Sequence, residues 1–432
     1  MNISALYQLF KKSNGVTTDS RNCPEGSIFF ALRGDSFNGN QYAAQALEKG
    51  CAYAVVDDSN YHNPQDNRYL FTHDVLHTLQ LLAHHHRKEL KTKVIGITGT
   101  NGKTTTKELI AAVLSQAFNV LYTQGNLNNH IGVPLTLLNI QPQHEIAVIE
   151  MGANHPGEIK QLAEITDPDY GIITNVGKAH LEGFGSFEGV INTKGELYNY
   201  LRAKENAVVF INQENHYLTH IATGLNLVAY GTTPGLFVSG QASENSTFLE
   251  FDWQAGQDTE RYHVATRLIG DYNLTNALAA IAIGRYMGVD SVAINEALAA
   301  YKPQNNRSQL TRTERNTLII DAYNANPTSM KAAIENFRKI NLPHKMVILG
   351  DMRELGNESD MEHQRIVELL QESAFEETIL IGELFAATRH PYQSYKHVDD
   401  YIAAIETSKP SGKTILIKGS NGIRLNKVLG YL

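Results

Sequence analysis

An α/β fold in three domains is predicted for this chain by three observations. From about residue 92, short runs rich in Val and Ile alternate with helix-forming stretches, the pattern of a parallel sheet wrapped on both faces. Before that point lies a shorter α/β unit with its own strands and helix. After it, the polar segment YKPQNNRSQ (301–309) separates a further round of strand–helix alternation. The predicted division is a small N-terminal α/β domain (1–88), a central parallel-sheet domain (89–303) and a C-terminal Rossmann-like domain (304–432). A chain of 432 residues supplies each with enough length for a core.

In the first domain SIFFAL (27–32) and AYAVVD (52–57) read as strands, with a helix over NQYAAQALEKG (40–50) between them. In the second, VIGIT (94–98) leads into a helix from about 103 to 117. EIAVIEMG (145–152) leads into a helix after Pro156, and YGIITNV (170–176) into one over 187–201. Residues 207–268 read as short strands with polar turns, an antiparallel flank to the sheet. YNLTNALAAIAIGRYMG (272–288) is a strongly apolar helix. The third domain has strands at TLIIDAY (317–323), KMVILGD (345–351), TILIGE (378–383) and KTILIKG (413–419), with helices between.

Composition narrows the function classes. Hydrophobic residues at 42% and charged residues at 19% describe an ordinary globular protein. No apolar stretch is long enough to cross a bilayer, and MNISALYQLFKKSNG lacks the pattern of a signal peptide. Two cysteines, Cys23 and Cys51, fit a reducing cytoplasm without a disulfide framework. A net charge of −8 with no basic run argues against nucleic acid as a partner. An anionic substrate therefore needs a few placed cations. His84-His85-His86 reads as a polar helix face rather than a metal site, because adjacent helical residues point in different directions.

The densest chemical signal is VIGITGTNGKTTTKEL (94–109), a strand breaking into glycines, a lysine and threonines. Gly99 and Gly102 allow a tight turn that brings N–H groups of Thr100, Asn101 and their neighbours onto phosphate oxygens. Lys103 adds charge, and the hydroxyls of Thr104 and Thr105 open the helix, Thr104 being placed to hold Mg²⁺. The full phosphate-loop motif is not met, since Ile97 stands five residues before Gly102, and the competing reading is a fortuitous Gly-Lys-Thr turn. ATP is the expected ligand. Glu150 ends an apolar strand, where a carboxylate serves as a Mg²⁺ ligand or simply faces solvent. His180 and Lys194, in NVGKAHLEGFGSFEGVINTKGELY (175–198), carry no role by spacing alone.

The string TGTNGKT, with EMGANHPGEI, AHLEGFGS and TKGE downstream, resembles the ATP-dependent Mur ligases of peptidoglycan synthesis. The resemblance implies a cytoplasmic amide ligase of cell-wall biogenesis, serving cell shape and division and acting as a monomer. It also implies two Mg²⁺ ions, with Lys194 carbamylated so that its oxygens and His180 hold the second. DAYNANPTSM (321–330) and GDMRELGNESDMEH (350–363) are similar to the branch whose substrates are UDP-N-acetylmuramoyl-tripeptide and D-alanyl-D-alanine. The Asn-Pro-Arg motif of the diaminopimelate-adding branch is absent, Asn326-Pro327 being followed by Thr328.

By the same resemblance, TDSRNCPEGSIFFALRGDSFNGNQY (18–42) holds the UDP end, with Ser20 and Arg21 at the diphosphate or in a plain surface loop. Asn128 and Asn129 of NLNNHIGVPLTLL (126–138) face the growing peptide. Asn273 and Asn276 of GDYNLTNALAA (270–280) contact adenine, or one of them caps the helix instead. Arg307 meets phosphate, although Asn306 precedes it where the family has glycine, and Asp321 meets the ribose. Asn324 and Lys418 lie near the incoming dipeptide. The competing functions are another amino-acid or folate ligase of the superfamily, and a nucleotide switch that forms no amide.

Overall fold

The computed structural model describes residues 1–243, 246–256, 260–303 and 309–432. The chain divides into two compact units, one of 1–97, 118–153 and 158–171, the other of 98–117, 154–157 and 172–432.

In the first unit, a four-stranded sheet runs in the order Val16–Thr17, Ile28–Phe30, Tyr53–Val56, Tyr69–Phe71, every pair parallel. Phe29, Ala31, Ala43, Ala46, Leu47 and Val56 fill its core against the helix Ala43–Glu48. The helix Val75–Glu89 starts at Asp74, whose carboxylate accepts from the His77 amide. It packs on the helices Gly132–Leu137 and Glu158–Thr166, so packing continues across residue 88. The histidine run differs from expectation. His86 is buried between the Tyr7 hydroxyl (3.2 Å) and the Ile140 carbonyl (2.8 Å), and burial pulls its pKa down. Arg87 beside it reaches the Thr166 carbonyl (3.2 Å) and the Asp169 carboxylate (2.9 Å). A helix packed on two sides needs these residues as polar anchors, and one face of three turns is all that stays wet. The strands Lys93–Thr98, Ile146–Glu150 and Val120–Tyr122 also pair in parallel.

In the second unit, the helix Lys103–Leu114 lies against Leu274–Met287, which is buried almost all round as its composition predicts. The flank read as antiparallel from 207 is corrected. Val208–Asn212, Asn226–Gly231 and Val238–Ala242 pair in parallel, and only Phe248–Ala255 and Tyr262–Ile269 turn antiparallel. The helix His216–Ile221 supplies the crossover that a parallel neighbour requires. Polar turns looked like hairpins because that helix is short.

Residues 309–432 form a six-stranded sheet in the order Gln309–Arg312, Thr317–Asp321, Thr414–Lys418, Lys345–Gly350, Glu377–Ile381, Gln393–Tyr395. All pairs are parallel except the first. Both edge strands are short and polar, which hid them from a reading by apolar runs. Among the described residues no helix is long and apolar enough to cross a membrane, and Cys23 and Cys51 are both free thiols.

Candidate active site

The strand Lys93–Thr98 ends and the chain turns through a loop that only glycine geometry permits. Gly99 has φ +143° and Gly102 φ +78°; a Cβ on Gly102 would meet the Asn276 amide oxygen at 2.7 Å. The loop is pinned from the segment after Tyr170–Ile173. Thr100 N–H donates to the Asn175 carbonyl (3.0 Å), Asn101 N–H to the Asn175 side chain (2.9 Å), and the Thr174 hydroxyl to the Asn101 carbonyl (2.6 Å). Lys103 opens the helix, its ammonium donating to the carbonyls of Gly99 (2.8 Å) and Thr100 (3.2 Å). Thr104 is buried and Thr105 half-buried. A loop this thoroughly fixed is preorganised for an anion, with a helix N-terminus adding to the attraction.

Asn276 and Asn273 sit under this loop. Asn276 accepts from the Thr106 hydroxyl (3.0 Å) and donates to Asn273 (2.9 Å), which donates to the Ile269 carbonyl (2.8 Å). Neither side chain caps the helix. They brace the phosphate loop.

His180 and Lys194 converge from the next loop and helix. His180 holds φ +50° before the short helix Leu181–Phe184, and its Nδ1 is in contact with the Glu354 carboxylate. Burial pushes the imidazole pKa down; Glu354 opposes this, while Lys103 and Lys194 reinforce it. The structure therefore brings Lys103, His180 and Lys194 within electrostatic reach. Lys194, on Phe187–Arg202, is buried with its ammonium 5.1 Å from the centre of the Phe184 ring. The quoted motifs also meet one another: Gly157 N–H donates to Glu196 at 2.7 Å.

The other expected residues have local partners of their own. In the first unit, Glu150 is buried at the end of its strand and accepts from Asn128 (2.8 Å). Asn129 accepts from the amides of Ile131 and Gly132, holding the turn into the helix Gly132–Leu137. Arg21 is exposed and its guanidinium is bound by Asp19 (2.9 Å), whose pKa falls to about 2; Ser20 is bonded through its carbonyl to Lys49 (2.7 Å). In the third domain, Lys418 is buried and paired with Asp321 at 2.5 Å, at the carboxyl ends of adjacent parallel strands. Its ammonium also reaches the carbonyl of Asn324, whose side chain is exposed. Arg307 lies outside the described residues.

Three participants escaped the sequence reading. Asn326 exchanges amide hydrogen bonds with Asn101 of the loop (2.7 and 3.3 Å) while capping the helix Pro327–Lys339. Glu354 meets His180. Lys178 bonds Glu358 and Glu362 at 2.8 Å each. Glu354 lies in a bend at φ +63° before the helix Ser359–Ser373, so no helical spacing in the sequence links it to Glu358 and Glu362.

Family models match three stretches: "Mur ligase family, catalytic domain" at 12–90, "Mur ligase middle domain" at 97–284, and "Mur ligase, glutamate ligase domain" at 306–421. The UDP-N-acetylmuramoyl-tripeptide–D-alanyl-D-alanine ligase of Bacillus subtilis is 35% identical over 96% of this chain and 92% of its own. The chain belongs to the Mur ligase family. This Mur ligase is also similar to the crystal structure of MurF from Acinetobacter baumannii, with TM-score 0.85 at 29% identity over 98% and 97% of the two chains. A MurF ligase from Thermotoga maritima in complex with ADP gives TM-score 0.86 at 26% identity, over 98% of this Mur ligase and 97% of the other. The three-domain α/β expectation therefore holds for this Mur ligase.

Proposed function

We propose that this Mur ligase joins D-alanyl-D-alanine to a UDP-N-acetylmuramoyl-tripeptide at the expense of ATP. The carrying observation is likeness along the whole chain to ligases named for that reaction, 35% identity over 96% of the chain in one case. A peptide carboxylate resists attack by an amine because of its charge. Moving the γ-phosphoryl group of ATP onto it gives an acyl phosphate, which the dipeptide amine attacks to form the amide and release phosphate.

Each residue group has a task in that sequence. The backbone of Gly99–Thr105 and the ammonium of Lys103 bind and orient the phosphates and offset charge in the transferred group. Asn273 and Asn276 keep the loop in shape. Residues 1–88 hold the UDP end through Ser20 and Arg21, with Asn128 and Asn129 toward the peptide. Residues 304–432 bring Asp321, Asn324 and Lys418 to the nucleotide and the dipeptide.

The donor chemistry fits Mg²⁺ without a prebuilt cage. Among the described residues no group of three His, Cys, Asp or Glu side chains is assembled for a metal, whereas Mg²⁺ with phosphates takes few protein ligands. Thr104, Glu150, His180 and carbamylated Lys194 would hold two ions, which supply charge neutralisation at the transferred phosphoryl group. A depressed imidazole pKa leaves His180 neutral, the form that ligates metal. Lys194, buried where an ammonium is poorly solvated, gains from carriage of a carbamate. On the same reading the enzyme works as a monomer in the cytoplasm.

The test uses a tripeptide substrate labelled with ¹⁸O in its terminal carboxylate. Label is expected in the released phosphate, with an amide product of the mass of substrate plus dipeptide less one labelled water. Unlabelled phosphate would rule out the acyl phosphate; phosphate release with no amide would return the switch reading.

A further inference from the structure

Among the described residues, side-chain contacts between the third domain and the phosphate-loop side of the site include three groups. One is the Asn101–Asn326 amide exchange, the second the His180–Glu354 contact, and the third the triad of Lys178 with Glu358 and Glu362. The first two use residues that face nucleotide or metal. The third does not, and it carries the most charge.

We infer that Lys178 is a positioning residue for ligation, an electrostatic latch that holds the third domain over the phosphate loop. The inference rests on the ligase reading above. Lys178 sits one residue after Gly177, whose amide bonds the Thr100 hydroxyl at 3.0 Å, so the ammonium is tied mechanically to the loop. A Cβ on Gly177 would meet the Thr328 hydroxyl at 2.8 Å, showing how closely the third domain approaches there. Glu358 and Glu362 stand one turn apart at the start of the helix Ser359–Ser373, and as like charges they repel unless a cation lies between them. Glu362 is almost fully buried and shares its oxygen with Arg365 at 2.6 Å. Removing Lys178 leaves that carboxylate undercompensated, so the contact favours the closed arrangement.

The latch is also releasable. Side chains of Lys178 and Glu358 are 34% and 36% exposed, beside a groove of about 610 Å³ lined in part by Thr328, Lys331 and Arg365. Water and salt reach the pair, which weakens it with ionic strength. By contrast, the buried Arg87 and His86 contacts of the first unit have no such access.

Full-length enzyme is assayed for amide formation as wild type, Lys178→Met, Glu362→Gln and the double variant, at low and high KCl. Loss of a part-buried charged contact should raise the KM for ATP about tenfold with kcat within about threefold, because only the closed fraction binds fully. The double variant should be no worse than Lys178→Met. Wild-type KM should climb with salt, that of Lys178→Met should climb less steeply, and Lys178→Arg should restore the wild-type behaviour. Additive effects, or salt curves that run parallel, overturn the latch. If Lys178→Met does not fold, Glu358→Gln gives the same KM and salt readings from an exposed side chain. A wild type that forms no amide refutes the ligase reading; a wild type that ligates with an additive cycle refutes the latch alone.

Discussion

Replacing Gly102 by alanine attacks the phosphate loop at its tightest point. The residue holds φ +78°, a region that costs an L side chain about 1 kcal/mol or somewhat more. The added methyl lies 2.7 Å from the Asn276 oxygen and 3.3 Å from its amide carbon and nitrogen. Asn276 cannot swing aside freely, because Thr106 and Asn273 hold it at 3.0 and 2.9 Å. Giving up those two hydrogen bonds costs about 1 kcal/mol each. The sum is roughly 3 kcal/mol, or about a hundredfold in nucleotide affinity if the loop rather than the whole domain yields. Calorimetric titration with ADP, alongside thermal unfolding, separates those two ways of yielding. Gly102→Ala with Asn276→Gly should recover little of the loss, since the double variant forfeits the same two hydrogen bonds and keeps the backbone strain. If Gly102→Ala binds nucleotide within about threefold of wild type and melts at the same temperature, a cradle braced by Asn276 is refuted.

Lys103→Ala should lower kcat by about a thousandfold, as expected for removing a charge that acts on the transferred group; a twofold change in single-turnover rate would place the lysine outside the chemistry. Lys194→Ala should abolish ligation, with partial recovery on adding a small carboxylate, and full activity without it would remove the second-metal role. The buried His86 makes a pH prediction. Its folded pKa lies below the unfolded value of about 6.5, so the unfolded chain takes the proton first as pH falls, and the stability contributed by the neutral ring is complete above that pH and lost below it. Urea unfolding between about pH 7 and 5.5 should show wild type losing more stability than His86→Gln; parallel curves would contradict the assignment.

The site was legible where chemistry is encoded locally. A strand, two glycines, a lysine and a threonine must be consecutive to cradle phosphate, so Gly99 to Thr104 could be read from the chain. For Asn273 and Asn276 only the alternative of a helix cap fails: their hydrogen bonds run to Ile269, Thr106 and each other, a fact of packing that an Asn-rich helix start does not reveal. Lys418 and Asp321 were given separate tasks, yet parallel pairing sets them side by side. The histidine triplet failed for a related reason, since only its neighbours show which ring is buried.

By itself, the order of residues determined the alternation of strands and helices, the phosphate loop and the kind of group that loop attracts, because those depend on backbone geometry and charge within a few residues. Tertiary structure alone decided which distant side chains face one another. It placed His180 against Glu354, Asn101 against Asn326 and Lys178 between two glutamates nearly two hundred positions away. Contacts of that range are set by how sheets and helices stack, and a sum over many weak packing terms leaves no short string to read.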